Sequence, residues 1–400
     1  MKLRRARIIT VVGAGGKTTC LQRRAQEYIN AGKRAVITTT THIWKPQTTV
    51  DENGCSQDED PAGAFVFHTP GGIDYAGTPL DNGKLSMPPR SVWEYLLASY
   101  DAVLVEGDGS HCMPVKIPGP GEPVIPEETD EIVVIMGRHA VGRSLKVVCH
   151  RYDENRLPDG IVTESVLERI ADEFYVRPLR YRYPKADVYY EPGSYEPRTG
   201  DLPVTAVLLA SGFGRRYGGN KLLDDYDGQQ LYRRTLGSVM EALGKDRTVV
   251  VTQYGDIMDK MRAEGILALE NKEAAEGISA SIRIGTREAM RRDDSEAVIF
   301  FAADMPYLPA DEIRRYADQF LWSGKSYGCM ESGPDHIMTN PGAFRLDRAD
   351  IPGQLLALTG DRGAMRIMKQ HPQDIYRYQI AEEAVRDIDE KPEPGSEDQQ

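Results

Sequence analysis

The sequence is poor in cysteine, poor in basic charge relative to acid, and without a long apolar run. Its five cysteines, at 20, 55, 112, 149 and 329, are an odd number with no C-x-x-C pair. That excludes a disulfide framework and a paired-cysteine zinc site, and it points to reduced thiols in a cytoplasmic protein. Lysine and arginine total 49 against 61 aspartates and glutamates, for a net charge of −12. Nonspecific binding to a phosphate backbone needs net or patchy basicity, so nucleic acid is not expected as a partner. No apolar stretch approaches the length of a membrane span, and no membrane partner is expected. The basic start "MKLRRAR" leads into only five apolar residues, "IITVV", before a glycine loop, and reads as the entry to a first strand rather than a signal peptide.

What is present suits a soluble α/β protein. Four hundred residues, 40% hydrophobic and 28% charged, exceed one ordinary core and suggest two or three domains. Apolar runs at 7–12, 34–40, 101–106 and 131–137 read as strands. The first is followed by a helical stretch from Lys17 that closes on Gly32. Continuous rather than alternating apolar strands are those of a sheet covered on both faces. Residues 51–63 are polar and acidic and read as a surface loop. Around 189–203, "YYEPGSYEPRTGDLP", regularity is expected to stop in a linker. A second α/β series then begins at "VTAVLLA" and continues through 247–253, 296–304 and 374–380. The tail from 393 has almost nothing to bury and is expected to be disordered. The organisation is therefore a nucleotide-binding domain over 1–190, a linker over 191–203, a second domain over 204–392 and a tail over 393–400.

Each series opens with a strand followed by a glycine-rich basic loop. The first, "GAGGKTT", lacks the full phosphate-loop spacing, because the position six residues before Lys17 is Val11. The shorter pattern of Gly13, Gly16, Lys17 and Thr18 keeps the order of strand, turn, lysine and helix start. Backbone N–H groups there can meet phosphate oxygens, and Thr18 can hold Mg²⁺. Glu106, at the end of the strand 101–106, and Asp108 are the acidic partners such a site needs. A tight turn with an incidental lysine is the bland alternative. The threonines 38–41 are explained equally by β-propensity or by orienting water, metal or phosphate. His42 is a structural residue or a ligand.

The second loop, "ASGFGRRYGGNK" over 210–221, packs four glycines, two arginines and a lysine into twelve residues. Glycines at that density let a backbone wrap a ligand, and the cations say the ligand is an anion. Gly212, Gly214 and Gly218 supply the wrap, while Arg216 and Lys221 would neutralise a triphosphate. A dinucleotide fingerprint fails, because Tyr217 stands where its third glycine belongs. Asp304 ends the apolar strand "EAVIFFAAD", where ligands and metals sit in open α/β sheets. Asp387 and Asp389 in "VRDIDEKPE" offer a second carboxylate for Mg²⁺, or form a solvated acidic turn.

Two resemblances follow from these segments. "VVGAGGKTT", "VITTTTHIW", "VEGDGS", "PVKIPGPGEPVIP" and "HR" at 150–151 make residues 5–190 similar to the YqeC-like family of selenium-dependent hydroxylase accessory proteins. The resemblance implies that Gly13, Gly16, Lys17 and Thr18 form a nucleotide loop with Glu106 and Asp108 beside it. It also implies a target molybdenum hydroxylase as partner. The chain departs from that family's pattern at Gly107 and at "HCM" after Ser110. From about 204 to 392, "LLASGFGRRYGGNKLL", "EGISASI", "ADMPYL", "TNPGAF", "LTGDRGA" and "DIDEKPE" resemble the MocA-like branch of the MobA-like nucleotidyltransferases. That likeness implies a Rossmann-like nucleotidyltransferase fold of the nucleotide-diphospho-sugar transferase type and cytidylyl transfer from CTP to a molybdopterin-type substrate. By the same likeness Gly212, Gly214, Arg216 and Lys221 bind triphosphate, and Asp304 with Asp389 or Asp387 holds Mg²⁺. Ser279 and Ser281 would lie near base and ribose, and Asp361 would receive the pterin. GTP in place of CTP, a sugar-phosphate acceptor, or a nucleotide-gated cofactor carrier are the alternatives.

Overall fold

The computed structural model describes residues 5–46, 65–213, 220–226, 228–333, 335–348, 350–361 and 363–388. The acidic stretch 51–63, the tail beyond 393, and Gly214, Arg216, Gly218 and Asp389 lie outside the described residues. The chain divides into two compact units, Met1–Glu196 and Pro197–Gln400.

In the first unit, strands β1 (Arg7–Gly13), β2 (Ala35–Thr39), β3 (Val66–His68), β4 (Asp74–Ala76), β5 (Ala102–Glu106), β6 (Glu131–Met136) and β7 (Asp187–Pro192) form one sheet in the order β7-β6-β1-β5-β2-β4-β3. All neighbours are parallel except the edge pair β3–β4. The apolar strands β1, β5 and β6 are buried along almost their whole length, because helices cover both faces. Helix α1 (Lys17–Asn30) buries Cys20, Leu21 and Ala25 on one face of the sheet, and α2 (Arg90–Ser99) buries Val92, Trp93 and Leu96 on the other. Register sets the site: Val11 lies beside Glu106 and Gly13 beside Ile135. The turn after β1 and the acidic end of β5 thus meet at one edge.

One expectation needs correction. Regularity does not stop at Tyr189, because β7 runs on to Pro192 as the edge strand of this sheet. Proline is tolerated there as the last residue of an edge. Polar residues hold the strand: Arg24 of α1 donates to the Tyr189 hydroxyl at 2.6 Å and to Glu191 at 2.9 Å. With Val188 its one buried residue and the tyrosines only half-buried, the strand carries a weak apolar signal in its sequence.

In the second unit, β8 (Val204–Ala210), β9 (Thr248–Thr252), β10 (Leu267–Glu270), β11 (Ala297–Ala302), β12 (Tyr327–Ser332), β13 (Ile337–Arg345) and β14 (Ile375–Gln379) form a mixed sheet ordered β10-β9-β8-β11-β13-β12-β14. Only β13 runs antiparallel to its neighbours. It includes Asn340-Pro341 and Gly342, which disguise it as a turn in the sequence. Helix α3 (Leu231–Leu243) and α6 (Ala310–Ser323) cover one face; between them in sequence come α4 (Gly255–Ala263) and α5 (Ile278–Met290). The buried core of α3 and α6 includes Tyr232, Leu236, Tyr316 and Phe320, whereas α5 packs Ile282 against Val207 and Phe300 on the other face. Because β8 and β11 are adjacent and parallel, with Leu209 beside Ala302, Gly212 and Asp304 emerge at the same edge.

Candidate functional sites

The first loop is built from glycines that no other residue replaces. Gly13 has φ +93, Gly15 +68 and Gly16 +144, and a side chain at Gly13 would overlap the Ile135 carbonyl. The chain turns tightly off β1 and enters α1 with Gly16 as a cap that makes no side-chain hydrogen bond. Uncapped helix N-termini present backbone N–H groups and a partial positive charge to anions. Thr18 is exposed on the first turn.

Lys17 lies inside the loop, only 5% exposed. Its Nζ donates to the Gly13 carbonyl at 2.8 Å and lies 3.7 Å from Asp108 and 4.0 Å from Glu106. Both oxygens of Asp108 are engaged. Oδ1 accepts from the Gly13 N–H at 3.1 Å, while Oδ2 accepts from Tyr175 at 3.2 Å and lies 3.4 Å from Lys116. Lys116, fully buried, continues to Glu122 at 2.7 Å, and Glu122 is clasped by Arg151. Burial pushes the Glu106 carboxyl up to about 7, against the pull of Lys17. Burial would raise Glu122 as well, but hydrogen bonds from Arg151 and Lys116 outweigh it and hold this carboxyl at about 2. Charges therefore alternate from Lys17 through Asp108, Lys116 and Glu122 to Arg151. Sequence reasoning stopped at Asp108; Lys116, Glu122 and Arg151 sit in "PVKIPGPGEPVIP" and "HR", where only a family likeness drew notice. The threonine run is anchored structurally: Thr38 donates to Ala76 O at 2.8 Å, Thr39 to Glu106 O at 3.1 Å and Thr40 to Val124 O at 2.6 Å.

The second site gathers around Asp304, two residues past β11. Lys221, in a short turn over Lys221–Leu223, places Nζ 2.7 Å from the Asp304 carboxylate and 2.7 Å from the Ile388 carbonyl. Ile388 N–H in turn donates to Asp304 O at 3.2 Å. The loop lysine, the strand-end aspartate and the C-terminal acidic segment therefore converge, although they are far apart in sequence. Asp387 in that segment is exposed. Arg386 donates to the Tyr307 hydroxyl at 3.1 Å, which fastens the segment to the turn after Asp304. At the glycine loop, Gly212 is exposed; its carbonyl accepts from Tyr254 at 2.6 Å, and Ser211 O accepts from Gln253 at 2.7 Å. Gln253 and Tyr254 follow β9 and carry no motif, so only the fold reveals them.

Ser279 and Ser281 open α5 but are buried, and their hydroxyls turn inward. Ser281 accepts from Asn271 at 2.9 Å and Ser279 from Arg283 at 3.4 Å. Arg283 also donates to Leu358 O at 2.9 Å, and Ser279 N–H to Gly360 O at 3.3 Å. The "EGISASI" loop and the "GDRG" turn are thereby joined, with exposed Asp361 held against Gly277 at φ +101. Among the described residues, no three His, Cys, Asp or Glu side chains gather closely enough to hold a metal ion by themselves. Asp304 offers hard oxygen ligands of the kind Mg²⁺ takes together with substrate phosphates. No helix among the described residues is long and apolar enough to cross a membrane.

The two units correspond to two described domain types. Residues 9–153 match the YqeC protein family, and residues 206–375 match the MobA-like NTP transferase domain. The chain thus joins a YqeC domain to a MobA-like NTP transferase domain. The YqeC protein of Escherichia coli K12 is 30% identical over 178 residues, 41% of this chain; the match spans 65% of that protein's own length. Among solved structures, Rv0371c of Mycobacterium tuberculosis H37Rv is 21% identical, with a TM-score of 0.39, over 48% of this chain and 95% of its own. A nucleotidyl transferase from Methanothermobacter is 21% identical, with a TM-score of 0.38, over 47% and 92%.

Proposed function

We propose that the second unit is a molybdenum cofactor nucleotidyltransferase that moves CMP from CTP to a molybdopterin-type acceptor. The observation that carries this reading is the convergence of Lys221, Asp304 and the Ile388 segment at the strand ends of a MobA-like NTP transferase domain. A terminal phosphate oxygen of the acceptor attacks the α-phosphorus of CTP. The bond from that phosphorus to the bridging oxygen breaks, and pyrophosphate leaves with the electron pair. Lys221, released from Asp304 by the incoming triphosphate, neutralises phosphate charge together with Arg216, while the 212–218 glycines let the backbone follow the ligand. Asp304, with Asp389 or Asp387, would hold Mg²⁺, which supplies charge neutralisation on the phosphates. Positioning and electrostatics carry the catalysis, and no covalent enzyme intermediate is required. Asp361 would contact the pterin. Ser279 and Ser281 would support the base pocket by shaping its turn. Lys221→Ala and Asp304→Ala, assayed with labelled CTP and molybdopterin acceptor, are expected to lose transfer by roughly two orders of magnitude or more with the fold intact. Full turnover in both variants would overturn the assignment. Guanylyl transfer or a sugar-phosphate acceptor would keep these roles and change only the pocket contacts.

The first unit is proposed to bind a nucleotide at Gly13, Gly16, Lys17 and Thr18 and to serve the same cytoplasmic pathway, in maturing a selenium-dependent molybdenum hydroxylase. A second reading for this unit, a nucleotide-gated carrier, is favoured by Lys17. Held by its own loop and by two carboxylates, it must rearrange to meet a phosphate, and such a rearrangement is the form a switch takes. Nucleotide turnover by a variant carrying Asp304→Ala tests this: steady hydrolysis abolished by Lys17→Ala marks an NTPase, and tight binding without hydrolysis marks the carrier.

A further inference from the structure

The first unit contains a cavity of about 500 Å³ whose lining includes Thr40, Thr41, His111, Glu122, His150 and Arg151. It opens beyond the carboxyl ends of β2 and β5, where ligands bind in open parallel sheets. Thr40, on its wall, donates its backbone N–H to the carbonyl of Glu106, whose carboxylate faces Lys17, and its hydroxyl to Val124 O.

The groups facing this cavity are those that hold an oxyanion. Glu122, its one carboxylate, is already satisfied: its oxygens accept from Gly119 N–H, Lys116 and both Nη atoms of Arg151. A guanidinium has five N–H donors, so this pairing leaves Arg151 with further donor capacity. A side chain at Gly119 would overlap that guanidinium, so the glycine leaves the space it occupies. His111 and His150 stack with ring centroids 4.7 Å apart. Burial, together with His111 and Arg151, keeps His150 neutral down to about 4. The backbone is strained at the same place. Of the four described non-glycine residues with positive φ, His111 at +50, Cys112 at +61 and Arg151 at +59 belong to the two segments that supply the rings and the guanidinium. Non-glycine residues in this region cost energy and tend to mark functional sites.

We infer that this cavity is a second ligand site, taking a small molecule through a phosphate- or carboxylate-type oxyanion held by Arg151, His111 and the Thr41 hydroxyl. The chain Arg151–Glu122–Lys116–Asp108–Lys17 places that ligand next to the nucleotide loop, as a co-substrate or effector of the same unit. The location beside a nucleotide rests on the reading of residues 13–18 above; the oxyanion site itself does not.

The test is a titration of the full-length protein, labelled at its histidine rings, with inorganic phosphate and separately with acetate, followed by NMR. The His111 and His150 signals are expected to shift saturably with phosphate, with acetate, or with both, which also identifies the class of oxyanion. Arg151→Gln is expected to weaken that response at least tenfold. Thr41→Val, which leaves the ion-pair chain intact, is expected to weaken it several-fold and stands in should Arg151→Gln fail to fold. Lys17→Ala is expected to retain the response, which separates this site from the nucleotide loop. Shifts that never saturate with either ion, or saturate equally well in Arg151→Gln and Thr41→Val, would overturn the proposal.

Discussion

The two glycine loops look alike in sequence and differ in how their lysines are held. Lys17 is wrapped by its own loop, with Gly13 O at 2.8 Å and both Glu106 and Asp108 within 4.0 Å, and is almost wholly buried. Lys221 reaches out of its turn to Asp304 and Ile388 and keeps part of its side chain in solvent. Gly13 sits at positive φ against a carbonyl, whereas Gly212 is exposed with open space beside it. Gly13 is thus a tightly packed part of its unit's architecture, whereas Gly212 has open space beside it and Lys221 lies against a partly exposed carboxylate.

The largest expected break in that comparison comes from the buried charges. Lys116→Met removes the cation between Asp108 and Glu122 and should cost about 3–5 kcal/mol, because a buried carboxylate loses its partner. Lys221→Met should cost less, about 1 kcal/mol, because its ion-pair partner Asp304 keeps part of its carboxylate in solvent. Urea denaturation of the two variants measures both. Next is the glycine pair. Gly13→Ala should destabilise by roughly 2–3 kcal/mol or more through backbone strain and overlap with Ile135, while Gly212→Ala should stay within about 0.5 kcal/mol. Similar losses in both would erase the distinction between the loops.

The smallest effect is the pH dependence of the first unit. Burial, with Arg143 nearby, holds His139 neutral to about 4, and His150 is held to about 4 as well. Between pH 6.5 and 5 the unfolded chain binds protons at both histidines that the fold refuses, so stability falls as pH falls. Glu106 acts in the opposite sense: its folded value of about 7 lets the fold keep a proton that the unfolded chain releases above its ordinary 4.5. Two groups against one leave a net loss on acidification of at most about 1.4 kcal/mol per pH unit. Above pH 6.5 the unfolded histidines give up their remaining protons while Glu106 loses its own, the two effects nearly cancel, and stability should level off as pH rises through 7. Urea midpoints from pH 5 to 7.5 check the sign, and a midpoint that climbs on acidification from 6.5 to 5 would contradict it.

Much of this was legible in the sequence because continuous apolar strands and glycine turns are local signals. β1, β5, β6, β8, β9 and β11 fall within a few residues of their expected places. β7 was hidden because ion pairs with Arg24 hold it, and β13 because Pro341 and Gly342 interrupt its pattern. At the sites, Lys17, Lys221 and Asp304 stood out by their place after glycine-rich or apolar runs. Lys116, Glu122, Arg151, Gln253 and Tyr254 did not, since each acts through a contact that depends on chain segments brought together only by folding. The inward turn of Ser279 and Ser281 was likewise invisible, because a serine at a helix start reads the same whether its hydroxyl meets Asn271 or a ligand.

Pyrophosphate release by the full chain, with Mg²⁺ and a molybdopterin-type acceptor, tests the account most directly when CTP is compared with GTP. The account predicts release with CTP that depends on acceptor and is lost in Asp304→Ala. Absence of release with either nucleotide, beside an active control enzyme, would contradict it.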